Sequence, residues 1–433
     1  MKRITMTKLI AYALLPLTLS FSNAAFAADP LVRAFQKERH VKTLNQTGTR
    51  KEFTAEILPV QIKDQDVIRL SHSAKPRTLQ MIGVDLARGA GLAPIAWTVA
   101  LPDGREFNLT GAADAGAIDA KYKADGSQFR DNLFFQSGVV APLFPQTNRL
   151  TGTLSKPNTI TAKVSGQTVT MPLNNTANIK NAIPHHLHGL LFGQLAKAPA
   201  NGEMVRLSGT SAAVVGQFEV GAPWWTGQTS VETTSELTKD GYVFHMKVKN
   251  IGKTPVPVGA GAHPYFSSPD LGKDAIRVHV PARELVEINN LSDVLPTGKI
   301  MKLTDADPAL NFTDKAGTPL YDKAIRGNET GSRLDNLWVD LEKDSNGFAY
   351  AEVFFPLSNL KVRMTALTKN VIGIQGYAPN FSADKKPFIA LELVTNLPDP
   401  REELWGATPT GMALLKPSET FEYGYKVEVM SIK

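Results

Sequence analysis

The residues best suited to moving protons are a histidine and a glutamate far apart in the chain. His263 stands in Gly259-Ala260-Gly261-Ala262-His263-Pro264-Tyr265-Phe266, just after the alternating run Tyr242 to Lys249. Proline locks its own φ and drives the residue before it toward an extended conformation. His263 is therefore expected on a stiff, extended backbone, with small residues leaving room around its imidazole. A group with an ordinary pKa near 6.5 suits a proton donor at neutral pH. Glu392 lies between Leu391 and Leu393 in the apolar run Phe388 to Val394. A carboxylate in a buried strand is costly unless partnered, so it is salt-bridged, at a sheet edge, or kept for chemistry. Residue types alone also leave His263 open between a packed side chain and an acid. Arg149 is equally open between a loop-closing ion pair and a ligand contact.

Other chemistries lack their residues. The chain has no cysteine, which removes thiol catalysis and any disulfide framework. His185, His186 and His188 lie within four residues. In an extended segment neighbours point to opposite faces, and no close carboxylate completes a tetrahedral set, so no metal site is expected. Gly259-x-Gly261 is followed by strand-like residues where a dinucleotide motif would open a helix. No phosphate-binding loop, nucleophile elbow or zinc-protease helix is present.

The elements that must position these groups read as strands. Ile160, Ala162 and Val164 share a face, Ser165-Gly166 turns the chain, and Val169 and Met171 resume the apolar side. Lys239-Asp240-Gly241 turns into a strand with Tyr242, Phe244, Met246 and Val248 on one face. Leu360, Val362 and Met364 repeat the pattern, as do Tyr423, Tyr425, Val427 and Val429. Many short alternating strands separated by Gly, Pro, Asn and Asp predict an all-β, antiparallel β-sandwich. Asp29–His40 reads as a short helix, capped by Asp29 and opened by Pro30, and beyond it helical periodicity is scarce. Gly89 to Leu109 reads as added loop and hairpin material.

Five blocks, in order, resemble the aldose 1-epimerases, or galactose mutarotases. They are Gly138–Leu150 (GVVAPLFPQTNRL), His188-Gly189, the His-Pro-Tyr-Phe string, Leu391–Thr395, and Leu415-Lys416-Pro417-Ser418-Glu419, where serine replaces the family's glycine. The resemblance implies a large two-sheet supersandwich, no cofactor, and a small-molecule sugar as substrate. It implies Glu392 as general base, His263 as general acid and His188 as the second histidine near the ring oxygen. Arg149, with Asn148 beside it, matches the arginine that binds sugar hydroxyls. Asp335 matches the substrate-binding aspartate, with Asp340 as a competitor. Two departures bear on substrate identity. Leu393 stands where proline often follows the glutamate, and Leu190-Leu191-Phe192 and Gly193-Gln194-Leu195 replace an aromatic and an arginine after His188-Gly189. They leave room for a second reading, a catalytically inactive periplasmic glycan-binding protein. A hydrolase would want two carboxyl groups across one bond, and only Glu392 has a convincing strand setting.

The N-terminus reads as an address. Met1–Lys8 is basic, Leu9–Phe21 apolar and Ala25-Phe26-Ala27 a small-x-small cleavage site, the pattern of a signal peptide over residues 1–27. Residues 28–51 then form an extension and 52–433 one sandwich domain, periplasmic or secreted. Removal of Lys2, Arg3 and Lys8 lowers the formal charge from +6 to +3. The remaining basic residues are scattered, which gives no nucleic-acid footprint. No later apolar run reaches membrane-spanning length. Trp224, Trp225, Tyr265, Phe266 and Trp338 are candidates for stacking on a sugar.

Overall fold

A computed structural model describes residues 52–432 apart from 74, 76, 128–129, 157, 175–182, 292, 322–331 and 380–384. The expected signal segment and the Asp29–His40 helix lie outside the described residues. Strands dominate, as the alternation requires, and every pairing between the strands named below is antiparallel. The hairpin through Ser165-Gly166 pairs Thr159–Val164 with Gln167–Pro172. The Lys239-Asp240-Gly241 turn joins Gln228–Thr238 to Gly241–Asn250.

Two large sheets form the sandwich. One has nine strands and is centred on Ser211–Gly221, Gln228–Thr238, Gly241–Asn250, Thr420–Ser431 and Leu360–Ala366. Along it Tyr242, Phe244, Tyr423, Tyr425 and Val427 point inward and are buried, while His245, Lys247 and Lys249 are exposed. The other has eight strands, ordered Pro296–Lys302, Ala282–Ile288, Ser332–Leu341, Gly373–Pro379, Phe388–Val394, Gly261–His263 and Ala141–Leu143, with Tyr265–Ser267 also on Phe388–Val394. Its inward residues Leu334, Trp338, Ile374, Leu391 and Leu393 join the same core. Tyr423 spans the two layers, its Oη donating to the Leu393 carbonyl at 2.8 Å.

Gly89–Leu109 holds the expected hairpin, Ala93–Ala100 with Glu106–Asn108, yet it is built into the core rather than added to it. With the residues before it, this segment forms a five-stranded sheet, Phe53–Ile62, Gln65–His72, Gln80–Ala87, Ala93–Ala100 and Glu106–Asn108. Trp97 is fully buried and packs against Tyr242 and Phe266, at ring-centroid distances of 5.2 and 6.1 Å. Its small, loop-like residues disguise a strand whose apolar face closes the core. Ala115–Ala124 is the one helix of more than two turns among the described residues. Asp114 caps it, accepting from the Ala117 N–H.

Candidate active site

Register alone brings His263 and Glu392 together. Gly261 pairs with Val394 and Tyr265 with Ala390, so His263 falls opposite Glu392 on adjacent strands. The residues flanking Glu392 face the core, so the glutamate projects from the other face of the eight-stranded sheet. Its Oε1 lies 3.2 Å from His263 Nε2. Gln375 pairs with Glu392 and Asp335 with Tyr377, which sets Gln375 and Asp335 on that same face.

A second set of groups arrives from the opposite side. Arg149–Leu150 and His186–Leu187 form a two-stranded sheet, Leu187 opposite Arg149. The His188 N–H donates to the Asn148 carbonyl at 2.8 Å. Both Asn148 and His188 have left-handed backbones, φ 58° and 65°, which turn the two segments back toward the sheet. Gly189 is required here. At φ 70°, a Cβ would collide with the Phe144 carbonyl oxygen, the acceptor for the Leu190 N–H at 2.6 Å.

Arg149 is held from two directions. Nη1 donates to Asn148 Oδ1 at 2.9 Å and Nη2 to Asp335 Oδ2 at 3.0 Å. Asp335 also accepts from Gln375 Nε2 at 2.6 Å. Planar, bidentate donors of this kind fix orientation as well as charge. His188 stands edge-on to His263, centroids 5.0 Å apart, and the Tyr265 ring lies 4.8 Å away on another side. His263, Glu392 and His188 are all buried.

Burial dominates the electrostatics. Desolvation lowers His263 to about 3 and also holds His188 well below its ordinary value, with the neighbouring Arg149 charge acting in the same direction on both. Desolvation raises Glu392 well above the carboxyl range, reinforced by Asp335 and opposed by Arg149. Both shifts favour the uncharged forms of the pair, a protonated carboxyl beside a neutral imidazole. The cause is that a neutral pair is easier to bury than an ion pair. The roles implied by the resemblance, a carboxylate base and an imidazolium acid, correspond to the charged forms of the same pair. One transfer along the 3.2 Å contact interconverts the two arrangements.

All six expected site residues, Asn148, Arg149, His188, His263, Asp335 and Glu392, converge on this face. Asp340 does not compete with Asp335. It lies at the far end of the same strand, outside the site, 3.6 Å from Arg283. Gln375 is missed by sequence reasoning, because a glutamine in Gly373–Pro379 carries no motif and becomes visible only through its partners. The glycines before His263 act differently from expectation. At Gly259 a Cβ would meet Asn396 Oδ1, which receives the Thr147 N–H at 3.2 Å. The space serves the Pro145–Thr147 loop rather than the imidazole. Of the aromatic candidates, Trp225, Phe266 and Trp338 pack in the core, Trp224 is exposed, and Tyr265 reaches the site.

His186 is structural, its ring nitrogens 2.7 and 2.9 Å from the Pro172 and Gly189 carbonyls. His185 is buried and lowered to about 4 by desolvation and by Arg149. The ligand atoms of His188, His263 and Glu392 lie within 4.8 Å of one another. A tetrahedral ion needs them about 3.3 Å apart, and the Arg149 charge opposes a cation. The arrangement favours proton transfer.

Comparison with known proteins bears on the fold and the family. The sequence profile of the aldose 1-epimerase family matches residues 120–419, which takes in all five blocks. No curated protein matches the chain. Among solved structures, a galactose mutarotase-like protein from Clostridium acetobutylicum superposes with a TM-score of 0.62 at 16% identity, over 88% of this chain and 100% of its own. The GalM/aldose epimerase homologue from C. elegans gives 0.59 at 16%, over 88% and 100%. A galactose 1-epimerase from Lactobacillus acidophilus gives 0.57 at 12%, over 88% and 99%. At such identities the likeness establishes the fold, and the profile match over most of the chain establishes the lineage: this protein belongs to the aldose 1-epimerase family.

Proposed function

We propose that the protein is a mutarotase, interconverting the α and β anomers of a free aldose by acid/base ring opening and closure. The observation that carries this reading is the buried His263–Glu392 pair, 3.2 Å apart on adjacent strands. Ring opening removes the proton from the anomeric hydroxyl and adds one to the ring oxygen. After rotation about the adjacent carbon–carbon bond, closure reverses both transfers. A pair sharing one proton supplies an acceptor and a donor at every stage and ends as it began. Glu392 takes the anomeric proton and His263 protonates the ring oxygen, once the shared proton has passed to the imidazole. His188 sits beside the imidazole to hold the ring oxygen end of the sugar.

Binding rests on the Arg149, Asn148, Asp335 and Gln375 network. Arg149 Nε and Glu392 Oε2 are buried and make no hydrogen bond among the described residues. Buried polar atoms of this kind are normally satisfied, and sugar hydroxyls would satisfy both. Arg149 and Asp335 offset each other in charge, and burial favours the neutral forms of His188, His263 and Glu392. That balance suits an uncharged sugar better than a phosphorylated one. Export to the periplasm or beyond belongs to the same proposal and rests on Met1–Ala27; an exported protein whose mass begins at Ala28 tests it.

The test of turnover is the optical rotation of freshly dissolved α-D-glucose and α-D-galactose with the mature protein. Acceleration over buffer is expected, falling by about 10²–10⁴ in His263→Ala and Glu392→Gln. A folded protein that binds either sugar without accelerating rotation would instead be the inactive glycan binder.

A further inference from the structure

We propose that the outer face of the nine-stranded sheet carries a second ligand site, one that takes an organic anion with an apolar or planar body. The row Arg277, Phe354, Lys361 and Met430 runs across four neighbouring strands in direct register. The residues alternating with it, Val278, Val353 and Val362, are buried in the core, so the row faces away from the sandwich interior. The catalytic pair projects from the other sheet, on the far side of that core.

A pocket of about 850 Å³ lies over this row, a size typical of small-molecule sites. Its floor is apolar: Phe354 is 6% exposed, with Met430 and Pro356 alongside. Its rim is basic, from Arg277, Lys315 and Lys361, and no carboxylate side chain of the described residues lines it. Lys361 Nζ stands 5.9 Å from the Phe354 ring centroid. Below the rim, Glu352 accepts from Lys361 at 3.2 Å and from Arg363 at 3.3 Å, and Arg363 also lies 3.8 Å from Asp344, so Lys361 shares its one carboxylate with Arg363. Arg277 Nε donates to the Gly317 carbonyl at 2.7 Å, which orients the guanidinium without neutralising it. A bare inorganic anion would leave the apolar floor wet, and a neutral apolar molecule would leave the rim unanswered. An anion joined to an apolar body uses both.

The full mature chain, labelled with ¹³C-methyl methionine, provides the test. Met430 is the local reporter, assigned with Met430→Leu, and the probes are 2-naphthyl phosphate, 2-naphthol and inorganic phosphate. Naphthyl phosphate is expected to shift the Met430 methyl and to bind more tightly than either fragment. In the double variant Lys315→Glu/Lys361→Gln its affinity is expected to fall roughly fivefold or more, with sugar turnover unchanged. The proposal fails if no shift appears at millimolar probe, if either fragment binds as tightly, or if the double variant binds as well.

Discussion

Replacing Glu392 by glutamine should make the protein more stable while removing its activity, and the gain should depend on pH in one direction. Glu392 is 1% exposed, and burial holds its carboxyl well above its ordinary range. In the unfolded chain the same group ionises near pH 4.3. Folding above that pH must restore a proton, at about 1.4 kcal/mol for each pH unit over which the folded carboxyl stays protonated and the unfolded one does not. A group with a raised folded pKa thus contributes its full stability below the unfolded value and loses it as pH rises. At pH 7 the cost has a ceiling of about 4 kcal/mol. Glutamine is neutral at every pH, nearly the same shape, and still able to donate to His263 Nε2. With an unfolding entropy of about 2.1 cal/mol/K per residue, close to 400 mature residues give about 0.8 kcal/mol/K. A gain of about 3 kcal/mol then appears as a Tm roughly 4 °C higher. Calorimetry of wild type and Glu392→Gln at pH 4.5, 6 and 7.5 measures this. The difference should be near zero at pH 4.5 and grow with pH. A variant less stable than wild type at pH 7.5, or a difference independent of pH, would mean that the folded carboxyl is ionised and would refute the account of the shared proton.

Arg149→Lys should keep a positive charge but lose one of the two anchors to Asn148 and Asp335. We expect KM for the accelerated sugar to rise about tenfold with a smaller change in kcat, since a lysine cannot reproduce the fork; equal affinity would remove Arg149 from the binding network. Gly189→Ala forces a Cβ onto the Phe144 carbonyl at a left-handed φ. A stability loss of about 1–3 kcal/mol is expected, together with a displaced His188 and roughly a hundredfold fall in rate; chemical denaturation and polarimetry read the two effects separately.

How much of this was legible before folding differs from residue to residue. Ser418 is instructive: its φ of 69° explains why the family places glycine there, yet a serine in the sequence announces no left-handed turn. The five-stranded sheet was obscured by its small residues and turns, because Trp97 reads as core only when Tyr242 and Phe266 lie against it. Asp335 and Asp340 share one strand and look equivalent as letters. Their difference is that one reaches Arg149 and Gln375 while the other sits outside the site.

Alternation, turn chemistry and side-chain pKa are local properties, so the alternating strands of the large sheets, their hairpin turns and the residue types able to transfer a proton could be read from the letters alone. Tertiary structure decided which of those residues meet. The register that sets His263 opposite Glu392 joins strands more than a hundred residues apart. Gln375 enters the site only because its strand lies between those of Asp335 and Glu392. The preference of the pair for its uncharged forms also arises there, since desolvation depends on what the rest of the chain packs around it.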